Sequence, residues 1–292
     1  MTGLSDANPI SVFLWLMTAA GIVMFCFNPL LLALSLAGAL FYFYMRNPDA
    51  GLKAILPYLG LALASALLNP LFSHNGATVL FVLNHNPITL EAFYYGFALG
   101  AMLVAVLCWF RSFQQIMTSD KLLYIFGSAL PKLTLILSIA LRYIPLLREQ
   151  SKRVRDAQKA LGLFREENAV DRLRGELRIF SVLVTWALEN GVITADSMSA
   201  RGYGVGRRTR FALFRFRARD AALCIACLLL GGTTIAGVAT GALAFCFYPR
   251  FSMGELCPLS CLSYFSYGLL ALFPGLLEVE EHIRWNTLKS RI

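Results

Sequence analysis

The chain is 292 residues long, 58% hydrophobic and only 15% charged, with a mean hydropathy of +0.63. Soluble domains run at about 45–50% apolar and about 25% charged, so this composition excludes an ordinary soluble domain and predicts an integral membrane protein. At roughly 20 apolar residues per span there is room for about five to seven spans, and the meaning of the formal net charge of +9 depends on which loops hold the positive residues.

Residues 12–27 and 30–45 are apolar and are separated by Asn28-Pro29, which predicts a hairpin of two short spans. Arg46 and Lys53 mark a charged loop. Residues 54–72 make a third span, with Pro57 near its start and Asn69-Pro70 at its end. Residues 73–90 hold no Lys or Arg but several Asn and two His, and read as a polar loop. Residues 91–110 make a fourth span, in which Gly96 and Gly100 form a G-x-x-x-G pair that permits close helix contact.

From Arg111 to Arg219 the character changes. This block carries 20 Lys/Arg against 9 Asp/Glu, an excess larger than the net charge of the whole chain. The positive-inside rule places it in the cytoplasm. Counting back, the 73–90 loop lies outside, the Arg46–Lys53 loop inside, the Asn28-Pro29 turn outside and the N-terminus inside. Two stretches in the block are apolar, 122–147 and 179–188. A transmembrane pair is the alternative reading; length and charge weigh against it, because Pro131-Lys132, Arg142 and Pro145 interrupt the first and the second is too short. They read instead as long helices near the membrane surface, with apolar faces toward the membrane domain. Leu173, Leu177, Phe180, Val184 and Leu188 recur at spacings of three and four and make one such face. Arg172, Arg174 and Arg178 lie largely off it.

From Asp220 the chain is apolar again. Residues 221–247 make a fifth span with Gly231-Gly232 and a Gly237/Gly241 pair. Residues 248–262 form an outer loop, 263–277 a sixth span, and the polar tail 278–292 returns to the cytoplasm. The expected fold is an all-α integral membrane protein of about six transmembrane helices plus long cytoplasmic amphipathic helices. Its regions are N-terminal membrane helices over 1–110, a cytoplasmic arm over 111–219, and C-terminal membrane helices with a tail over 220–292. No cleavable leader is expected, since the N-terminus lacks a basic start and its apolar run continues past any small-residue cleavage site.

Chemistry-bearing motifs are sparse. The seven Cys, at 26, 108, 224, 227, 246, 257 and 261, lie mostly in apolar runs without zinc spacing and read as core or lipid-facing thiols. His74 and His85 have no further ligand at a fixed spacing. Residues 202–209, Gly-Tyr-Gly-Val-Gly-Arg-Arg-Thr, miss a phosphate-binding loop: Arg207 stands where the second glycine is required and the lysine is missing. Glu91, Asp120, Asp196 and Asp220 are dispersed. The basic block lacks the interleaved aromatics of a nucleic-acid surface, although an anionic-lipid contact would suit it. No catalytic centre, cofactor or metal site is expected. The pattern is that of a scaffold.

One stretch is shaped for contact. Residues 195–206 run Ala-Asp-Ser-Met-Ser-Ala-Arg-Gly-Tyr-Gly-Val-Gly. Gly202 and Gly204 stop an apolar-faced helix, and Ala200 lets a partner backbone approach. Arg201 offers a permanent charge in a fork that suits carboxylates, and Arg207, Arg208 and Arg210 follow.

Ser-Met-Ser-Ala-Arg-Gly-Tyr-Gly resembles the second Ala-Arg-Gly motif of the transmembrane T components of energy-coupling factor transporters. Arg155-Asp-Ala-Gln-Lys-Ala-Leu-Gly162 resembles the first motif in register, with Leu141-Arg-Tyr-Ile-Pro-Leu-Leu147 before it. The possible ion pairs Glu149/Arg153 and Asp156/Lys159 lie on the same helix. Met117-Thr-Ser-Asp120, Ala129-Leu-Pro-Lys132 and Thr185-Trp-Ala-Leu-Glu-Asn190 are similar to the family too, so the likeness covers about 10–245. Leu161 departs from it, standing where the motif arginine belongs. Either Arg155 or Lys159 then supplies the charge, or the first contact is mainly apolar.

The resemblance implies a non-enzymatic coupling subunit in the cell membrane, with both termini cytoplasmic. Its implied partners are two ABC-type ATPase subunits, the lipid bilayer and a small substrate-binding membrane subunit that takes a vitamin or a metal ion. Nucleic acid is not among them. Ala200, Arg201, Gly202, Ala160, Leu161, Gly162, Arg155 and Lys159 would face the ATPases. The alternative is a self-contained secondary transporter or channel, which would place polar groups at mid-membrane.

Overall fold

A computed structural model describes residues 4, 7–47, 56–73, 76–83, 86–163, 169–206, 214–248, 251–253 and 257–289. His74, His85, Lys53 and the arginines at 207, 208 and 210 lie outside the described residues. The chain forms two compact units, one of Met1–Leu122 with Phe214–Ile292 and one of Leu123–Leu213.

The first unit holds six apolar helices: α1 (Pro9–Phe25), α2 (Pro29–Arg46), α3 (Leu56–Phe72), α4 (Leu90–Ile116), α8 (Ala218–Ala239) and α9 (Pro258–Lys289). The starts of α1 and α2 follow from sequence. Asn8 and Asn28 cap them, each accepting a backbone N–H two residues on at 3.0 Å, and Pro9 and Pro29 occupy first-turn positions where no N–H is needed. Trp15, Tyr42, Trp109 and Tyr267 are the largest fully buried side chains. All four satisfy their polar tips: Trp15 Nε1 donates to the Leu270 carbonyl at 3.0 Å, Trp109 Nε1 to Ser35 Oγ at 3.1 Å, the Tyr267 hydroxyl to the Ala19 carbonyl at 3.1 Å and the Tyr42 hydroxyl to Glu278 Oε1 at 3.3 Å. Lipid offers such groups no other partner.

Close packing relies on small residues. A Cβ on Gly96 would lie 2.8 Å from Asn69 Cβ and 2.9 Å from the Ser65 carbonyl, and one on Gly100 would meet Ser65 Oγ and the Ala62 carbonyl, so α3 and α4 touch at backbone distance. Gly237 does the same for α8 and α9, where a Cβ would run into Ser263. Around it Thr233 donates to Ser266 Oγ at 2.9 Å and Ser263 to the Thr233 carbonyl at 3.2 Å, the hydroxyl pattern that holds helices together in lipid. Gly241 needs correcting. It lies beyond the end of α8 at φ +75°, with nothing within 4 Å of an added Cβ, and it terminates the helix instead of packing it.

Helix ends sort onto two sides. On one, Arg46 at the end of α2 pairs with Glu278 of α9 at 2.7 Å, and Asn47 exchanges hydrogen bonds with Gln115 near the end of α4. There Arg111 stacks over Phe43 and reaches the Tyr58 hydroxyl of α3 at 3.2 Å. Phe13 packs edge-on against Phe113, and the Asn8 N–H donates to Asp220 of α8 at 2.8 Å. On the other, Phe27, Tyr95, Phe245, Phe247 and Tyr248 form an aromatic cluster. The start of α1, the ends of α2 and α4 and the start of α8 therefore share the basic side.

Three expectations change at element boundaries. The 73–90 loop contains an antiparallel ribbon, β1 (Val79–Leu83) with β2 (Asn86–Thr89). The fifth helix ends at Ala239, not at 247, and a short second ribbon, β3 (Phe245–Cys246) with β4 (Ser252–Met253), follows. The polar tail is helical to Lys289: at 1.5 Å per residue this 32-residue helix is about 48 Å long against a hydrocarbon thickness of about 30 Å, so its charged last third continues past the lipid.

The second unit is built from α6 (Pro131–Ala160) and α7 (Ala169–Ala200), with α5 (Ser119–Ala129) leading into it. The apolar stretch 122–147 is thus split at Leu130-Pro131. Five helices among the described residues are long and apolar enough to cross a membrane, α7 among them and α6 not, while α1 and α3 are shorter apolar helices. The end of α4 and the start of α8 lie on one side of the first unit, so the chain between them crosses an even number of times, and no second helix between them among the described residues is long and apolar enough to pair with α7 as a span. The first unit itself supplies six apolar helices, α1, α2, α3, α4, α8 and α9.

Candidate functional site

α6 and α7 run antiparallel. Arg155 places one guanidinium nitrogen on both carboxylate oxygens of Glu176, at 2.8 and 2.9 Å, and the Tyr143 and Thr194 hydroxyls meet at 3.1 Å. With 155 beside 176 and 143 beside 194, the C-termini of the two helices point opposite ways. About 45 Å of helix, at 1.5 Å per residue, separates them. The Leu173, Leu177, Phe180, Val184 and Leu188 face expected from spacing is present, and each of these side chains is exposed.

The two helix ends are built alike. In α6 the Gly162 N–H donates to the Lys159 carbonyl and the Leu163 N–H to the Gln158 carbonyl, both at 3.0 Å. In α7 the Gly202 N–H donates to Ser199 at 2.9 Å and the Tyr203 N–H to Met198 at 3.0 Å. Each is a paired six-to-one and five-to-two closure around a left-handed residue, and the glycines have φ +69° and +75°. Nothing lies within 4 Å of an added Cβ at either glycine, so conformation alone demands glycine there. Ala160-Leu161-Gly162 and Ala200-Arg201-Gly202 consequently present their side chains on equivalent turns, all exposed.

What the turns carry differs. Leu161 is 72% exposed and Leu163 51%. The Arg201 guanidinium has no partner among the described residues, and Val205 beyond it is 88% exposed. Arg155 is held by Glu176, and Arg178 donates to the Leu163 carbonyl at 3.4 Å, so α7 braces the first tip. Glu149 and Arg153 form their pair at 2.5 Å.

Glu176 escaped the sequence reading, and Asp220 figured there only as one of several dispersed acids, without its role. Asp220 is 5% exposed and accepts from the Asn8 N–H at 2.8 Å and the Arg217 N–H at 2.9 Å. It ties the start of α8, where the chain re-enters the membrane unit, to the start of α1. An acid three residues after the cap and before an apolar run is a helix-start signal, and Arg217-Ala-Arg-Asp220 carries it. No group of three or more His, Cys, Asp or Glu able to hold a metal occurs among the described residues.

Fold and site together define a multi-pass membrane protein with a two-tipped helical arm. The description Cobalt transport protein (CbiQ) belongs to a family whose profile matches residues 3–211. The chain belongs to that family, the transmembrane T components of energy-coupling factor transporters. It is 34% identical over 197 residues to the energy-coupling factor transporter transmembrane protein EcfT of Listeria innocua, covering 62% of this chain and 72% of that one. To the protein of the same name from Streptococcus thermophilus it is 27% identical over 242 residues, covering 77% and 90%. EcfT 1 of Listeria monocytogenes is 29% identical over 199 residues, covering 63% and 74%. The chain is thus a membrane-embedded transporter component and works within a complex.

Proposed function

We propose that this chain couples ATP hydrolysis by two ABC-type ATPase subunits to a small substrate-binding membrane subunit, for import of a vitamin or a metal ion. The observation that carries the reading is the pair of identically closed helix ends, each exposed and about 45 Å apart along the helices, which suits contact with two separate subunits. As the ATPases close and open on ATP, docked tips would follow, and α6 and α7, tied together at Arg155–Glu176, would move as one lever. Ala200 and Gly202 supply shape and Arg201 the charge. Ala160 and Gly162 supply the matching shape at the first tip, beside Lys159. The exposed apolar face of α7 supports contact with the substrate-binding subunit or with lipid. ATP hydrolysis then resides in the partners.

A pull-down tests this. The tagged chain is co-expressed with the ABC ATPases of its own genome, solubilised and compared with Arg201→Glu. Breaking one partner of a buried charge pair costs about 3–5 kcal/mol, so ATPase recovery should collapse. Equal recovery with Arg201→Glu, or none with wild type, would overturn the reading and return attention to a transporter that acts without ATPases.

A further inference from the structure

We propose that the groove between α2, α4 and the β3–β4 ribbon holds one acyl chain of a membrane phospholipid as a resident part of the first unit. This is independent of the coupling function and needs only that α2 and α4 span the membrane. The groove encloses about 570 Å³, within the roughly 300–1,000 Å³ of small-molecule sites. Leu32, Ala33 and Leu36 of α2 and Ala98 and Ala101 of α4 form its walls. Three of these five are alanines, whose short side chains leave the space that leucines would fill. Phe245, Phe247 and Phe251, from the ribbon and its flanks, cover one end together with Tyr94. That cover is packed: the Phe245 and Phe247 rings stand 4.7 Å apart, Tyr94 meets Phe251 edge-on at 5.6 Å, and Phe247 also touches Phe27 and Tyr95. Sideways the groove is open, since Ala33, Phe97 and Phe251 are exposed.

Depth selects the occupant. The lining runs from Pro29 to Leu36 on α2 and from Leu90 to Ala101 on α4, about 10 and 16 Å at 1.5 Å per residue. Half of a hydrocarbon core about 30 Å thick is about 15 Å, so the groove has the depth of one leaflet. Deeper in the bundle Trp109 joins the two helices, donating to Ser35 Oγ at 3.1 Å and stacking on Tyr42 with centroids 6.4 Å apart. A partner's membrane helix runs the full bilayer, about 20 residues, and a groove that stops halfway does not seat it. Water finds few polar partners along such walls. An acyl chain entering from the interface buries its length there and ends where the groove ends.

The test begins with the full chain in its own complex in the native membrane. A photo-activatable benzoylphenylalanine in place of Phe97, a lining residue, should give a phospholipid adduct; a peptide adduct from another membrane subunit would overturn the proposal. After purification and exhaustive detergent washing, native mass spectrometry should find one phospholipid per wild-type chain. Retention should fall tenfold or more in Ala101→Phe and stay unchanged in Ala222→Phe, the same change at an exposed position of α8. Ala33→Phe fills the groove from its exposed side and replaces Ala101→Phe if that variant fails to elute as folded protein. In delipidated wild type, dipalmitoyl phosphatidylcholine should raise the unfolding temperature and dihexanoyl phosphatidylcholine should not, because its chains end short of Ala101. No lipid retained by wild type, equal retention in the filled variant, or equal stabilisation by both chain lengths overturns the resident chain and leaves the coupling function untouched.

Discussion

Asp220 shows how far a single residue's job extends beyond its neighbourhood. Its carboxylate takes one N–H from its own helix start and one from Asn8, 212 positions away. Removing it leaves the buried Asn8 amide without its acceptor, at about 1–3 kcal/mol, and uncaps the Arg217 amide at the more exposed start of α8. Asp220→Ala should therefore lower the unfolding temperature in detergent far more than Asp220→Asn, which keeps one carbonyl acceptor; equal effects would mean that the hydrogen bonds do not matter. The local half of this role is readable in Arg217-Ala-Arg-Asp220 as a helix-start pattern. The distant half is not, because no periodicity connects residue 8 to residue 220. Leu161 is the converse. Its turn is legible from Gly162 alone, but Arg155, one of two residues that the sequence left free to supply the missing charge, is tied to Glu176 by a contact that spacing does not reveal.

At the scale of elements, glycines separate into those that meet a neighbouring helix and those that do not. Gly96 and Gly100 face α3 across contacts that a Cβ would break, while Gly60 on α3 has open space around it. Overpacking such a contact costs about 1–3 kcal/mol. Gly100→Val should loosen α3 from α4 and lower thermal stability, whereas Gly60→Ala should leave it unchanged or raised; a loss with Gly60→Ala equal to that with Gly100→Val would show that glycine content, not contact, governs the pair. The same spacing rule that picks out Gly96 and Gly100 misleads at Gly237 and Gly241. A four-residue interval marks a face only where the helix continues, and α8 stops before Gly241. Element ends were the hardest feature to read for a related reason. Hydropathy tracks lipid, not hydrogen bonding, so it cut α9 where its polarity rises although the backbone runs on, supported by Glu280–Arg284 one turn apart.

For the molecule as a whole, the six spans and the basic arm were legible because charge and apolar length are properties of long segments and survive small boundary errors. Apolar length alone would add α7 as a further span; the placement of the α4 end and the α8 start on one side, with no second such helix between them among the described residues, weighs against it. That placement also fixes where the accessible thiols lie. Cys246, Cys257 and Cys261 are exposed toward the side of the first unit opposite the α4 end and the α8 start, whereas Cys26, Cys108 and Cys227 are buried. On the reading that the excess of Lys and Arg puts the arm in the cytoplasm, a membrane-impermeant maleimide added to intact spheroplasts should label the wild type, and Cys246→Ser, Cys257→Ser and Cys261→Ser together should lose most of that label. Labelling confined to inside-out vesicles would put the arm on the outer face. ATP is on the other side, so that single result would remove the coupling function however well the helix tips are shaped for it.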